Sequence, residues 1–159
     1  MALFRTSSAD FQTVESERWS EVDVQVGRTP LLDFSRLCRN PRVQLWAKAE
    51  WRQLSGSVKA RAAWQITRTA WRQGELNVQK RLLDATSGNT GLAYAAIGAA
   101  LGIPVMLFVP ENCSEARKRL LRAYGAEIRY TSPLEGTDGA QAAAEDLVQR
   151  EPGRYYYAS

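Results

Sequence analysis

The chain has 159 residues, 45% hydrophobic and 24% charged, with a net charge of +4, the profile of a globular domain large enough for one core. No apolar run reaches the ~18 residues of a membrane span, and Met1 to Asp10 lack the basic start and apolar stretch of a secretory signal. Histidine is absent, which excludes Ser-His-Asp and Cys-His nucleophile pairs and every His-containing zinc site; no metal site is expected, and acid–base work falls to Lys, Tyr, Asp, Glu or a cofactor. Cys38 and Cys113 do not form a disulfide framework, so a reducing cytoplasm is expected. The arginines are scattered along predicted helices, which favours solvated helix faces over a nucleic-acid surface.

Residues 1 to about 26 are polar and weakly periodic, an N-terminal arm with a short helix near Val14 to Trp19. Gly27-Arg28-Thr29-Pro30 marks a turn before a short extended piece, and Asn40-Pro41 marks a second turn. Val43 to Glu50 alternates, with Val43, Leu45, Ala47 and Ala49 on one face, and predicts a strand. Ser57 to Gln73 predicts a helix with Val58, Ala62, Ile66 and Ala70 on its apolar face beside Ala63, stopped by Gly74.

Leu82 and Leu83 end a short buried strand, and a small-residue helix runs from Thr90 to about Leu101. Val105 to Val109 is unbroken apolar sequence, as in a central parallel strand covered on both faces. Ser114 caps a helix over Glu115 to Tyr124. A strand over Glu127 to Thr131, a helix from Thr137 to about Arg150 and a strand from Tyr155 to Tyr157 complete the chain. From Val43 onward, strands and helices alternate, which predicts an α/β fold with a largely parallel sheet and right-handed crossovers. Ligands in such sheets sit beyond the carboxyl ends of the strands.

That position is held by Thr86-Ser87-Gly88-Asn89-Thr90. The loop offers hydroxyls, an amide and the free N–H groups of a helix start, a ready site for a carboxylate or a phosphate. The same residue types also make an ordinary N-cap, and on the loop alone the two readings stand even.

Three segments taken together resemble one family: Gly27-Arg28-Thr29-Pro30-Leu31, Ser55-Gly56-Ser57-Val58-Lys59-Ala60-Arg61 and Thr86-Ser87-Gly88-Asn89-Thr90-Gly91. In this order they look like the cysteine synthase (O-acetylserine sulfhydrylase) group of the pyridoxal-phosphate enzymes of the tryptophan synthase β-subunit type, known as fold type II. Val109-Pro110-Glu111 and Leu121 to Glu127 continue the likeness, which covers about Gly27 to the end. The resemblance implies a three-layer α/β sandwich, the smaller N-terminal domain of such an enzyme. Residues 43–159 would form that domain, and residues 1–42 an arm that packs on a larger domain.

The resemblance also implies roles. Lys59 matches the lysine that forms the Schiff base with pyridoxal 5'-phosphate and shuttles the α-proton. Asn89 matches the asparagine that hydrogen-bonds the cofactor's ring hydroxyl. Thr86, Ser87, Gly88, Asn89 and Thr90 match the loop that grips the substrate carboxylate. The implied reaction is β-replacement on an activated serine by a sulfur donor, in cysteine biosynthesis. Sister activities are the alternatives: cystathionine β-synthase, serine or threonine dehydratase, or threonine synthase. A non-catalytic domain that keeps the carboxylate loop is a further one.

The expected partners are a small amino-acid substrate and the sulfur donor, with a second copy in a homodimer or a complementing C-terminal half; neither nucleic acid nor membrane is expected. The family's glycine-rich phosphate loop and the polar partner of its pyridine nitrogen have no counterpart here: Glu135-Gly136-Thr137-Asp138-Gly139 is neither glycine-dense nor in the right place. The residues present are therefore expected to bind cofactor weakly and to show little catalysis by themselves. Trp19, Leu31, Leu32 and Phe34 of the arm are expected to expose apolar surface where no further domain covers them.

Overall fold

A strand with no polar alternate residue has no solvent side, and Val105–Pro110 is buried along its whole length. It sits inside the order α1 (Ser8–Gln25), β1 (Leu31–Asp33), β2 (Trp46–Lys48), α2 (Lys59–Arg72), β3 (Arg81–Ala85), α3 (Asn89–Leu101), β4 (Val105–Pro110), α4 (Glu115–Ala123), β5 (Glu127–Thr131), α5 (Gly136–Arg150) and β6 (Tyr155–Tyr157). This computed structural model describes residues 8–158, with side chains from Glu17 onward. The first residues of the expected arm (1–7) and Ser159 lie outside the described residues.

β5, β4, β3 and β6 form one parallel sheet in that order. Period-two alternation divides its side chains between two cores. Leu82, Val105, Leu107 and Val109 face α1 to α4, where they meet Val22, Ala63, Trp64, Tyr94, Ile97 and Leu121. Leu83, Ala85, Met106 and Phe108 face α5 and pack on Ala140, Ala144 and Leu147. This is the three-layer α/β sandwich expected. α3 lies close enough to the sheet that a Cβ at Gly98 would stand 2.4 Å from Val105 Cγ2 and 2.7 Å from the Ile103 carbonyl.

Three details differ from the sequence reading. First, the alternating stretch from Val43 to Glu50 does not open the parallel sheet. Only Trp46–Lys48 is strand, and it pairs antiparallel with Leu31–Asp33 in a separate two-stranded ribbon. The local partner suffices: Phe34 N–H donates to the Leu45 carbonyl at 2.8 Å and Ala49 N–H to the Pro30 carbonyl at 2.9 Å. A nearby return satisfies these groups with less loop-closure entropy than a distant sheet edge. Second, the buried face of α2 is Ala60, Ala63, Trp64, Thr67 and Ala70, whereas Val58 and Ala62 are exposed. Residues four apart drift around a helix of 3.6 residues per turn, and the large Trp64 ring sets which side faces the core.

Third, the N-terminal helix spans 18 residues rather than a short piece. Trp19 and Val22 of α1, and Val26 just after it, touch the core. The Trp19 ring lies 5.4 Å from Trp64 and 5.2 Å from Trp71, centroid to centroid, which gives those two tryptophans their packing partner. The Asp23 carboxylate accepts from Trp64 Nε1 and from Arg68 Nη1, both at 2.8 Å.

Candidate functional site

β3 delivers the chain to the carboxyl end of the sheet, and the turn into α3 is made by Thr86, Ser87 and Gly88. Thr86 N–H still pairs with the Phe108 carbonyl of β4 at 3.0 Å, so the loop begins from a fixed point. Gly88 is the N-cap of α3, and no side chain caps the helix. The hydroxyls and amide around this start are therefore not spent on an ordinary cap, and the helix N–H groups keep their capacity for an anion. Gly88 N–H donates to Thr86 Oγ1 at 3.2 Å. An Oγ1 that accepts this bond leaves its own proton for an external acceptor.

Close packing seats Thr86. A Cβ at Gly91 would come within 2.8 Å of Thr86 Cγ2 and 3.2 Å of Leu107 Cδ1, so glycine there lets the threonine side chain sit over α3. Ser87, Gly88 and Thr90 are half-buried, and Asn89 is exposed at the first position of the helix. Asp84 is buried one residue before the end of β3. Burial pushes its carboxyl above the usual range, opposed by a hydrogen bond from the Ala85 backbone. Its charge adds to burial in raising the Tyr94 phenol of α3.

Lys59 is exposed at the first residue of α2, and α2 packs against α3. The structure thus sets the lysine and the loop at the starts of two contacting helices. The turn before Lys59 contains two groups that sequence reasoning treated only as flanks. Ser55 Oγ and Ser57 Oγ are buried without a hydrogen-bond partner among the described residues, around Gly56 in its left-handed conformation at φ +72°. Buried polar atoms are normally satisfied, so these hydroxyls are open to a partner from outside the chain. The hint was legible as a hydroxyl pair two and four residues before a lysine.

A polar network ties this turn to the ribbon. Arg61, two residues after Lys59, donates from Nε to Glu50 Oε2 at 3.0 Å and from Nη2 to Glu50 Oε1 at 2.8 Å. Thr29 Oγ1 donates to Glu50 Oε1 at 2.7 Å, and Gln53 Nε2 to Glu50 Oε2 at 2.8 Å. Gln53 in turn accepts from Gly27 N–H at 2.8 Å, and Lys48 Nζ donates to the Thr29 carbonyl at 2.6 Å. The Arg61 guanidinium, then the Thr29 hydroxyl, hold the Glu50 carboxyl down to about 2. Thus Thr29 of the first motif and Arg61 of the second meet on the Glu50 carboxylate, and Gly27 joins them through Gln53.

Among the described residues, no group of three or more His, Cys, Asp or Glu side chains could hold a metal ion, and no helix is long and apolar enough to cross a membrane.

Residues 22–159 match the family model described as pyridoxal-phosphate dependent enzyme. Among curated proteins, the chain is 45% identical over 135 residues to the cysteine synthase of Aquifex aeolicus, covering 83% of this chain and 41% of that protein. It is 36% identical to cysteine synthase B of Escherichia coli, covering 85% of this chain and 45% of the relative. Against cysteine synthase B of Pseudomonas syringae it is 37% identical, covering 81% of this chain and 76% of that protein. Among solved structures, a cysteine synthase from Entamoeba histolytica superposes with a TM-score of 0.81 at 30% identity, covering 86% of this chain and 42% of that one. An O-acetylserine dependent cystathionine β-synthase from Helicobacter pylori superposes with a TM-score of 0.77 at 28% identity, covering 86% and 45%.

The chain belongs to the pyridoxal-phosphate dependent enzyme family and, within it, to the cysteine synthase group. It spans less than half the length of the Aquifex and Escherichia relatives.

Proposed function

We propose that this chain carries the cofactor lysine and the carboxylate-binding loop of a cysteine-forming β-replacement, with an activated serine such as O-acetylserine and a sulfur donor as substrates. The observation that carries the reading is the start of α3, where a glycine N-cap without a side-chain cap is ringed by Thr86, Ser87, Asn89 and Thr90. The residues present fit pyridoxal 5'-phosphate. Lys59 offers an amine, the buried unpartnered hydroxyls of Ser55 and Ser57 offer hydrogen bonds beside it, and Asn89 offers an exposed amide. In this reading residues 43–159 carry the site. Of the expected arm, the exposed Leu31 suits β1 to packing on a further domain, whereas Val22 of α1 belongs to this domain's own core.

When bound, the cofactor supplies the electron sink that makes the substrate's α-proton acidic. The chain's own residues do the rest. Lys59 would hold the cofactor, and its amine would take the substrate's α-proton. The Thr86 hydroxyl, with Ser87 and Thr90, holds the substrate carboxylate at the positive end of α3. Asn89 orients the cofactor ring through its hydroxyl. Closure of the loop over the substrate would exclude water. A second reading keeps these roles and changes only the nucleophile; the Helicobacter neighbour, whose name joins O-acetylserine to cystathionine synthesis, favours it.

The test is to mix the chain with pyridoxal phosphate, reduce with borohydride and map pyridoxyl-lysine by mass spectrometry. Saturable labelling at Lys59, lost in Lys59→Ala, is expected. Even labelling of Lys48, Lys80 and Lys118 would overturn the assignment of Lys59.

A further inference from the structure

The carbonyl of Ser87 is held from outside its own loop. Arg117 Nη1 donates to it at 3.3 Å, and the Cys113 thiol approaches it at 3.7 Å. Both belong to the start of α4: Cys113 is buried just before the helix, and Arg117 lies exposed in its first turn. A trans peptide is planar, so the Ser87 carbonyl and the Gly88 N–H point in opposite directions. Drawing the carbonyl toward α4 therefore turns the Gly88 N–H to the other side, where it meets Thr86 Oγ1 at 3.2 Å. The accepting hydroxyl then presents its proton away from Gly88. Glycine gives this peptide little intrinsic preference, so the restraint has to come from a neighbouring element.

We propose that Arg117, with Cys113 beside it, is a positioning residue for anion binding: it fixes the Ser87–Gly88 peptide and thereby aims the Thr86 hydroxyl at the substrate carboxylate. This rests on the reading of Thr86 to Thr90 as the carboxylate loop. The Arg117 guanidinium makes the stronger of the two bonds because the donor is charged. It has no part in contacting the reacting atoms.

The test is a titration of the isotope-labelled chain with L-serine as probe, following the backbone amides of Thr86 to Thr90 by NMR together with hydrogen exchange at Gly88. Arg117→Ala is expected to weaken L-serine binding about tenfold, the size of a lost charge-assisted hydrogen bond, and to speed exchange at Gly88. Arg117→Lys, which keeps a charged donor, is expected to regain most of both. Arg119→Ala removes the same charge from the same helix and is expected to change neither, since Arg119 Nε bonds within α4, to the Glu115 carbonyl at 3.4 Å. Because Arg117 is exposed, the core amides should keep their dispersion in every variant. If wild-type chain binds L-serine and Arg117→Ala binds it equally well, the positioning role is overturned and the loop reading stands. The role is likewise overturned if Arg119→Ala weakens binding as much, or if Arg117→Lys rescues nothing. If L-serine moves no loop amide in the wild type, the carboxylate reading falls and the positioning role with it.

Discussion

The parallel sheet and the β1–β2 ribbon are held by different physics. In the sheet, β4 is buried on both faces and its neighbours share two apolar cores, so burial of area and dense packing dominate. In the ribbon, Leu31 is 55% and Trp46 49% exposed, and the segment is located by Glu50, Arg61, Thr29, Gln53 and Lys48. The difference teaches where precision is needed. The sheet supplies a rigid platform with the Thr86 loop at the carboxyl end of β3, while the polar network orients the turn leading to Lys59.

The comparison can be broken most directly from the sheet side. Leu107→Ala opens a hole at a fully buried position and should cost about 3 kcal/mol, read as a lower denaturant midpoint with the secondary-structure and tryptophan signals falling together. Trp19→Ala removes the ring against Trp64 and Trp71 and should cost about 2 kcal/mol, less than a core truncation because Trp19 is only partly buried. Its mark is a loss of amide protection in α1 ahead of β3 and β4.

The ribbon should respond to acid before the sheet does. The Glu50 carboxyl is held near 2 against an ordinary 4.5. A depressed carboxylate stabilises the fold above its unfolded value, and that contribution fades as pH falls from 4.5 toward 2. Protection factors of the Ala49 and Gln53 amides should drop through this window while those of Leu82 and Leu107 hold. Arg61→Met should shrink the dependence, leaving the smaller part due to Thr29 and Gln53; equal losses in ribbon and sheet would overturn it.

The smallest effect runs the other way. Asp84 is buried and its carboxyl sits above the ordinary 3.8, so the folded state holds the proton more tightly and stability falls as pH rises through the folded value. Asp84→Asn should therefore melt higher than wild type at pH 7 and match it in strong acid. A variant that melts lower at pH 7 would mean that the ionised carboxylate has a partner worth keeping.

Much of this was legible in the chain. The apolar run at Val105 to Val109 follows from its continuous apolar pattern, because a central strand has no choice of face. The candidate loop was legible because Gly88 and its hydroxyl neighbours sit between a strand end and a helix start. The buried face of α2 was misjudged by a small rotation, since several alanines fit either side and only Trp64 against Trp19 decides. The ribbon was misassigned because alternation says that a stretch is extended, not which strand it pairs with.

Local order along the chain thus determined the α/β class, the order of elements from α2 onward and the place of Lys59 and Thr86 to Thr90 at helix starts, since propensity, periodicity and capping act over a few residues. Only the tertiary structure decided that Gly27, Thr29 and Arg61 converge through Glu50 and Gln53, that the hydroxyls of Ser55 and Ser57 are buried without a partner among the described residues, and that Arg117 reaches back thirty residues to the Ser87 carbonyl. Such contacts join residues far apart in sequence, and their partners are selected by the packing of whole elements, which no local pattern encodes.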